Sequence, residues 1–262
     1  ANVMNAYNML GLISTNTSKI EVFGDSDERF HIAGGNDQIP RILAERIPGQ
    51  IETGQVLERL AQRPDGKYVL SFRSGGISRD VLADHVVSAI PFKILRNVDL
   101  CVDLPTLKRR AIDELGYGQN TKCMSGFASR PWRAQGSNGE SFSDQRYQNS
   151  WDVTQRQAGN HGILVEYTGG TVALQAGNDT TSNHAAEFVG QIDRVYPGAA
   201  AAYDGKAVRM AWDRMPFNQA SYSAYLPGQY IGFAGTEGDK VGKLHFAGEH
   251  TDFDNQGYME GA

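Results

Sequence analysis

Only two cysteines occur in the 262 residues, Cys101 and Cys123, and they form no closely spaced Cys-x-x-Cys pair. That scarcity excludes a disulfide-stapled miniprotein and a thiolate zinc ribbon. The plain reading is two buried thiols, with a single disulfide between them left open. Long apolar runs are also missing, since none approaches the roughly 18 residues that a membrane helix needs. The opening ANVMNAYNML has no basic stretch followed by an apolar core, which leaves the compartment open. Basic charge is short as well: 25 Lys plus Arg stand against 30 Asp plus Glu, giving a net charge of −5 with the signs interspersed. Nucleic-acid binding domains show a basic stripe or a pI above about 9. This chain, at pI 5.7, is expected to have no nucleic-acid partner. The histidines His31, His85, His161, His184, His245 and His250 show no H-E-x-x-H spacing, and no serine lies in a G-x-S-x-G turn. Hydrolase and metalloenzyme readings fall away, and no metal ligand is assigned.

What is present suits a globular protein of one large domain or two small ones, because 40% of the residues are hydrophobic and 30 are glycine. A helix is expected near Met4–Leu12. An extended segment then closes at Gly34 and Gly35, Asn36 or Asp37 can cap, and Ile39, Leu43 and Ile47 recur at helical spacing. QIETGQVLERLAQ and KYVLSFRS read as a hairpin around Arg63-Pro64-Asp65-Gly66. DHVVSAIPF reads as a strand buried on both faces. LPTLKRRAIDEL is expected to be a helix and TKCMSGFA a strand. The Gly/Ser-rich stretch 133–157 reads as a loop or hairpin insertion. GILVEYT, TVALQAG and AVRMAW read as strands, and AAEFVGQIDRVYP as a helix stopped by Pro197. The fold class is therefore α+β (mixed α/β), a mixed sheet covered by helices.

Two motifs fail on context. Gly116-Tyr117-Gly118 opens like a dinucleotide fingerprint but follows a helix and lacks the third glycine. Asp252, Asp254 and Gly257 echo a calcium loop, yet the fifth position is Gln256 and the bidentate glutamate would lie beyond the last residue. The surviving feature is a strand ending in Phe246-Ala247-Gly248, followed by Glu249 and a helix start near Gly257. Adjacent glycines there let a ligand approach the main chain.

FAGEHT, with ten residues from Gly248 to Tyr258, and QGYMEGA resemble the closing FAD-contact segment of the flavin-containing amine oxidase family, which includes monoamine, polyamine and L-amino-acid oxidases. GGNDQIPRILAERI, ADHVVSAIPFKILRNVDL, NTKC followed by Trp132, and AWDRMPFNQASYSAYLPG fall in that family's order. The resemblance runs from about Phe23 to Ala262. It implies an α+β substrate domain plus the C-terminal part of an FAD-binding domain, divided as 1–50 (entry), 51–90 (FAD-domain hairpin and strand), 91–212 (substrate domain) and 213–262 (FAD-contact segment). The family's Rossmann strand and G-x-G-x-x-G turn do not occur in this sequence. The chain is thus expected to be a C-terminal portion that needs an N-terminal FAD-binding segment, in cis or as a partner chain.

Residue by residue, the resemblance places Lys122 as the lysine that holds a water near the flavin N5. Trp212 would sit beside the ring, and Tyr222 and Tyr258 would wall the substrate cage. Gly248, Glu249, Gly257 and the main chain at Met259 would contact the cofactor, and Val56 would reach the adenine. Ser221 stands where monoamine oxidases carry the flavin-bonded cysteine, so FAD is expected to be non-covalent. The implied reaction is oxidation of an amine or amino acid to an imine, with O2 reduced to hydrogen peroxide. An L-amino-acid oxidase would need a cation for the substrate carboxylate, and Arg130, Arg133 and Arg214 are no better candidates than surface charges. A non-catalytic fragment unable to hold FAD alone is the other alternative. A homodimer is compatible with the family.

Overall fold

The computed structural model describes residues 32–262. The helix expected at Met4–Leu12 and the first part of the extended segment expected before Gly34, at Phe30 and His31, lie outside them. The helix after the glycine pair spans Gln38–Glu45. Asp37 stands at its N-cap without a capping hydrogen bond, while Asn36 Oδ1 accepts from Ile32 N.

Strands β1 (Val56–Gln62) and β2 (Tyr68–Ser74) pair antiparallel as their sequences predict. The turn closes by Gly66 N donating to Arg63 O, with Gly66 at φ 82°, and Asp65 Oδ1 accepts from Lys67 N. This left-handed position suits a residue with no Cβ. A third strand that the sequence reading did not separate, β3 (Ile77–Ala83), returns against β2 after the Gly75-Gly76 turn. The run DHVVSAIPF yields only a short β4 (Val86–Ser88), followed by a helical turn Phe92–Leu95. Val86 and Ser88 are buried but Val87 is 66% exposed, which corrects the expectation of burial on both faces. β5 (Asp99–Cys101) adds parallel to β1, giving a mixed sheet of order β3-β2-β1-β5. Helix Thr106–Glu114 follows, and its C-terminal carbonyls, Ile112 O and Leu115 O, accept from the Arg96 guanidinium. A cation there offsets the negative end of the helix dipole.

Residues 116–224 form a compact unit of their own. Its sheet is antiparallel throughout, with order β10-β6-β9-β8-β7: β6 (Asn120–Phe127), β7 (Ser141–Phe142), β8 (Asn149–Asp152), β9 (Gly162–Gly169) and β10 (Tyr203–Ala211). The polar insertion thus contains a short hairpin, β7 with β8. TVALQAG is not a strand: Gly170–Asn178 is a helix. β9 stops at Gly169, Gly170 takes φ 61°, and the small side chains Ala173 and Ala176 are buried while Ala173 O accepts from Thr121 Oγ1 of β6. Docking of this small-residue face overrides the strand preference of Thr171 and Val172.

Helix Thr181–Ile192 is capped by Thr180, whose hydroxyl accepts from Asn183 N. It closes a core of Phe127, Trp132, Tyr147, Leu164, Phe188, Val189, Ile192, Tyr196 and Ala199. Large apolar side chains of this kind contribute on the order of 2 kcal/mol each when fully buried. Trp132 Nε1 donates to the buried Asp152 carboxylate, so its polar edge is satisfied.

The remaining described residues, 32–115 with 225–262, form the second unit. Its last part holds helix Gln229–Phe233 and β11 (Leu244–Phe246), which pairs parallel with β4. Near Gly257 the expected helix is a short 3-10 turn, Met259–Gly261. Both cysteines are free, and Cys101 is exposed, so the reading of two buried thiols holds for Cys123 alone.

Candidate active site

In the unit 116–224, alternation along β6 sends Thr121, Cys123, Ser125 and Phe127 to the buried face and Lys122 and Met124 to the other. Register then decides what surrounds Lys122. Tyr167 of β9 is directly opposite on one side and Met210 of β10 on the other, while Trp151 of β8 pairs with Val165 on the same face. Trp212 begins a 3-10 turn just past the end of β10. The ammonium of Lys122 comes to lie 5.4 Å from the Tyr167 ring centroid, 5.5 Å from Trp151 and 5.9 Å from Trp212. A cation within about 6 Å of a ring face is attracted by its quadrupole. Trp151 and Tyr167 are themselves in edge contact at 5.8 Å. Three rings therefore orient one amino group on the face of the sheet opposite Thr121 and Cys123.

Tyr222 belongs to the same unit, is 38% exposed and is held by backbone pairing of 221–223 with 117–118. Gly118 N donates to Tyr222 O at 2.8 Å and Ser221 N donates to Gly118 O at 3.0 Å. A Cβ at Gly118 would meet the Tyr222 ring and Ser221 Oγ at 3.0 Å, so glycine lets the ring lie against the main chain. Thus the glycine pair that fails as a dinucleotide turn seats an aromatic ring. Ser221 Oγ donates to Asn120 Oδ1. Arg130 donates to the His161 and Gln157 carbonyls, Arg133 pairs with Asp152, and Arg214 pairs with Asp213. All three arginines are engaged with local groups.

In the second unit, β11 hands over to Gly248 at φ 114° and ψ 164°, where a Cβ would strike the His250 ring at 2.9 Å. Glu249–Thr251 is a 3-10 turn, and Glu249 Oε2 accepts from Gly257 N at 2.8 Å. This bond draws the loop 252–257 back toward the turn. It leaves Tyr258 44% and Met259 65% exposed. Val56, half-buried, opens β1. Behind the turn, His250 is buried with its ring 4.5 Å from Phe92, and Lys108 places its ammonium 4.2 Å from the Phe246 ring while donating to Glu237 O. Tyr225 donates to Glu237 Oε1. Burial pushes Lys108 down to about 8 and the Glu237 carboxyl up.

Burial also pushes His250 down to about 4, helped by the nearby Lys108 charge. The folded chain favours the neutral imidazole, so the unfolded chain binds its proton first as pH falls below about 6.5. Stability from this residue is complete above that pH and is lost as pH falls through about 4. Glu166 and Glu237, whose carboxyls burial raises, act in the opposite sense. The effect is therefore read as a difference: the Tm of the parent should fall more steeply between pH 6.5 and 4 than that of His250→Gln. Parallel curves would show that His250 is not buried neutral.

Residues 10–262 match the model of the flavin containing amine oxidoreductases. The chain belongs to this family. It is 29% identical over 250 residues to the flavin-dependent L-tryptophan oxidase RebO of Lentzea aerocolonigenes, covering 89% of this chain and 52% of that protein. It is 25% identical over 246 residues to an L-amino-acid oxidase of Siganus canaliculatus, covering 91% and 46%. Among solved structures, cyclohexylamine oxidase from Brevibacterium oxydans superposes with a TM-score of 0.75 at 21% identity, over 92% of this chain and 51% of that one. Putrescine oxidase bound to putrescine gives 0.74 at 17% identity, over 87% and 50%. Those two show the fold. The chain spans about half the length of the curated relatives it matches.

A family of this kind works with a flavin, and two features of the chain suit one: a half-buried positive-φ glycine beside a strand end, and aromatic rings around a fixed amino group. Sequence reasoning named Lys122 and Trp212 but missed Trp151 and Tyr167. Both are visible as aromatic positions in segments that read as strand or insertion, yet only strand register brings them to Lys122.

Proposed function

We propose that the chain is the substrate-binding and flavin-closing portion of an FAD-dependent amine oxidase, with 51–90 and 213–262 contributing to the FAD domain and 91–212 to the substrate domain. The observation that carries this reading is the amino group of Lys122 held among Trp151, Tyr167 and Trp212 in a chain of this family. Non-covalently bound FAD would supply the two-electron acceptor for the amine's α-C–H hydrogen, with O2 as the final oxidant. Lys122 donates a hydrogen bond to a water and fixes its place. Tyr222 and Tyr258 align the amine by ring contact. Neither ring offers a carboxylate that would hold the amine protonated, and an unprotonated nitrogen is the form with a lone pair to assist oxidation. Gly248, Gly257 and the main chain at Met259 give the cofactor access to backbone, and Glu249 shapes that loop through Gly257 N. Released imine is hydrolysed by water.

An α-amino acid as substrate is the second reading, favoured by the names of the sequence relatives. A visible spectrum tests the cofactor assignment first. The 262-residue chain alone, mixed with FAD and desalted, should retain no yellow flavin, because no G-x-G-x-x-G turn is present to take the pyrophosphate. With a Rossmann segment supplied in cis or as a partner chain, flavin should be retained and should bleach anaerobically with an amine. Stoichiometric flavin on the isolated chain would overturn the first part. A loaded enzyme that no amine or L-amino acid bleaches would overturn the second.

A further inference from the structure

On the opposite side of the sheet from Lys122, Cys123, Glu166 and His184 bring a thiol, a carboxylate and an imidazole together, with their ligand atoms all within 4.8 Å of one another and all three residues buried. We propose that this cluster binds Zn2+ through three protein ligands, leaving the fourth position to a water. Cys123 and Glu166 are directly opposed register partners on β6 and β9, so two side chains leave the sheet side by side on one face. His184 comes down onto them from helix Thr181–Ile192. His184 Nε2 and Glu166 Oε2 approach to 2.7 Å, yet neither atom makes an aligned hydrogen bond, and the buried Ser125 hydroxyl, two residues along the same face from Cys123, has none either. Buried polar atoms are almost always hydrogen-bonded. The imidazole and carboxylate form a close pair at 2.7 Å, and the Cys123 thiol beside them completes a set of three donors that one cation could share.

The donor set selects the ion. Sulfur with imidazole and one carboxylate suits Zn2+, and with bonds of about 2.0 to 2.3 Å in tetrahedral geometry the His184–Glu166 pair would open from 2.7 Å to about 3.3 Å to admit the ion. Thiolate and carboxylate together balance a divalent charge, so the buried group is neutral once the thiol proton has left to solvent. Arg209, the other register partner of Cys123, directs its guanidinium to the carbonyls of Ala176 and Asp179. Cys123 and Glu166 adjoin Lys122 and Tyr167 in sequence, so the ion would stiffen the two strands that carry the ring-bound amino group.

The chain's two cysteines make the test clean, because Cys101 is exposed and Cys123 is buried. Purified protein is stripped with chelator, reloaded with Zn2+ or Co2+, and passed over a desalting column. Zinc by mass spectrometry should reach about one per chain. Cobalt difference spectra should show thiolate-to-metal charge transfer in the parent and in Cys101→Ser, and none in Cys123→Ser. Glu166→Gln and His184→Gln should each weaken Zn2+ at least tenfold, measured against a chromophoric chelator, and should lose the rise in Tm that Zn2+ gives the parent. These two variants carry the test if Cys123→Ser does not fold. A parent that retains no metal, a cobalt–thiolate band that survives Cys123→Ser or disappears with Cys101→Ser, or unchanged affinity in both other variants would overturn the site.

Discussion

Tyr222→Ala and Tyr258→Ala, each made separately in the flavin-loaded enzyme, should lower anaerobic flavin reduction by an amine by about a hundredfold, with FAD content nearly unchanged. The magnitude follows from orientation, because misplacing a reacting group by about 1 Å costs on the order of 10²-fold in rate. Both tyrosines are partly exposed, Tyr222 at 38% and Tyr258 at 44%, so ring removal opens no core cavity. Phe at either position should restore the rate to within about threefold, because the ring face supplies the alignment. Stopped-flow reduction with FAD quantified on the same samples decides the matter. Ala variants as fast as the parent would return these tyrosines to surface packing. Phe variants as slow as Ala would move the role from the ring to the hydroxyl.

Lys122→Met should slow flavin reduction or reoxidation by tenfold or more, which is about 1.4 kcal/mol in barrier height. Met preserves most of the side chain's bulk against Trp151, Tyr167 and Trp212 while removing the donor that holds the water. Tm and FAD content should therefore change little. Separate anaerobic and oxygen half-reactions reveal which step needs the amino group. Unchanged rates in both would remove Lys122 from the chemistry and leave it as a cation packed on aromatic rings.

Much of the fold was legible because its signals are local. The Arg63-Pro64-Asp65-Gly66 turn between QIETGQVLERLAQ and KYVLSFRS marks the hairpin β1–β2, and AAEFVGQIDRVYP marks most of helix Thr181–Ile192, whose start after the Thr180 cap lies four residues earlier than that stretch. Where local signals disagree with docking, docking wins: Thr171 and Val172 favour a strand, but Ala173 and Ala176 fit under the sheet as a helix. Val87 shows the limit of reading burial from an apolar run, since among the described residues β4 pairs with β11 while Val87 stays 66% exposed.

The sequence by itself determined the family resemblance, the lysine on its strand and the glycines that open the main chain, because these depend on residue type at short, fixed spacing. Only the tertiary structure decided which side chains meet. Trp151 and Tyr167 reach Lys122 through antiparallel register, and Cys123 reaches Glu166 and His184 through the other face of the same strands. Residues so far apart in the chain carry no spacing signal, since the distance between them is set by pairing and helix docking rather than by the number of residues that separate them.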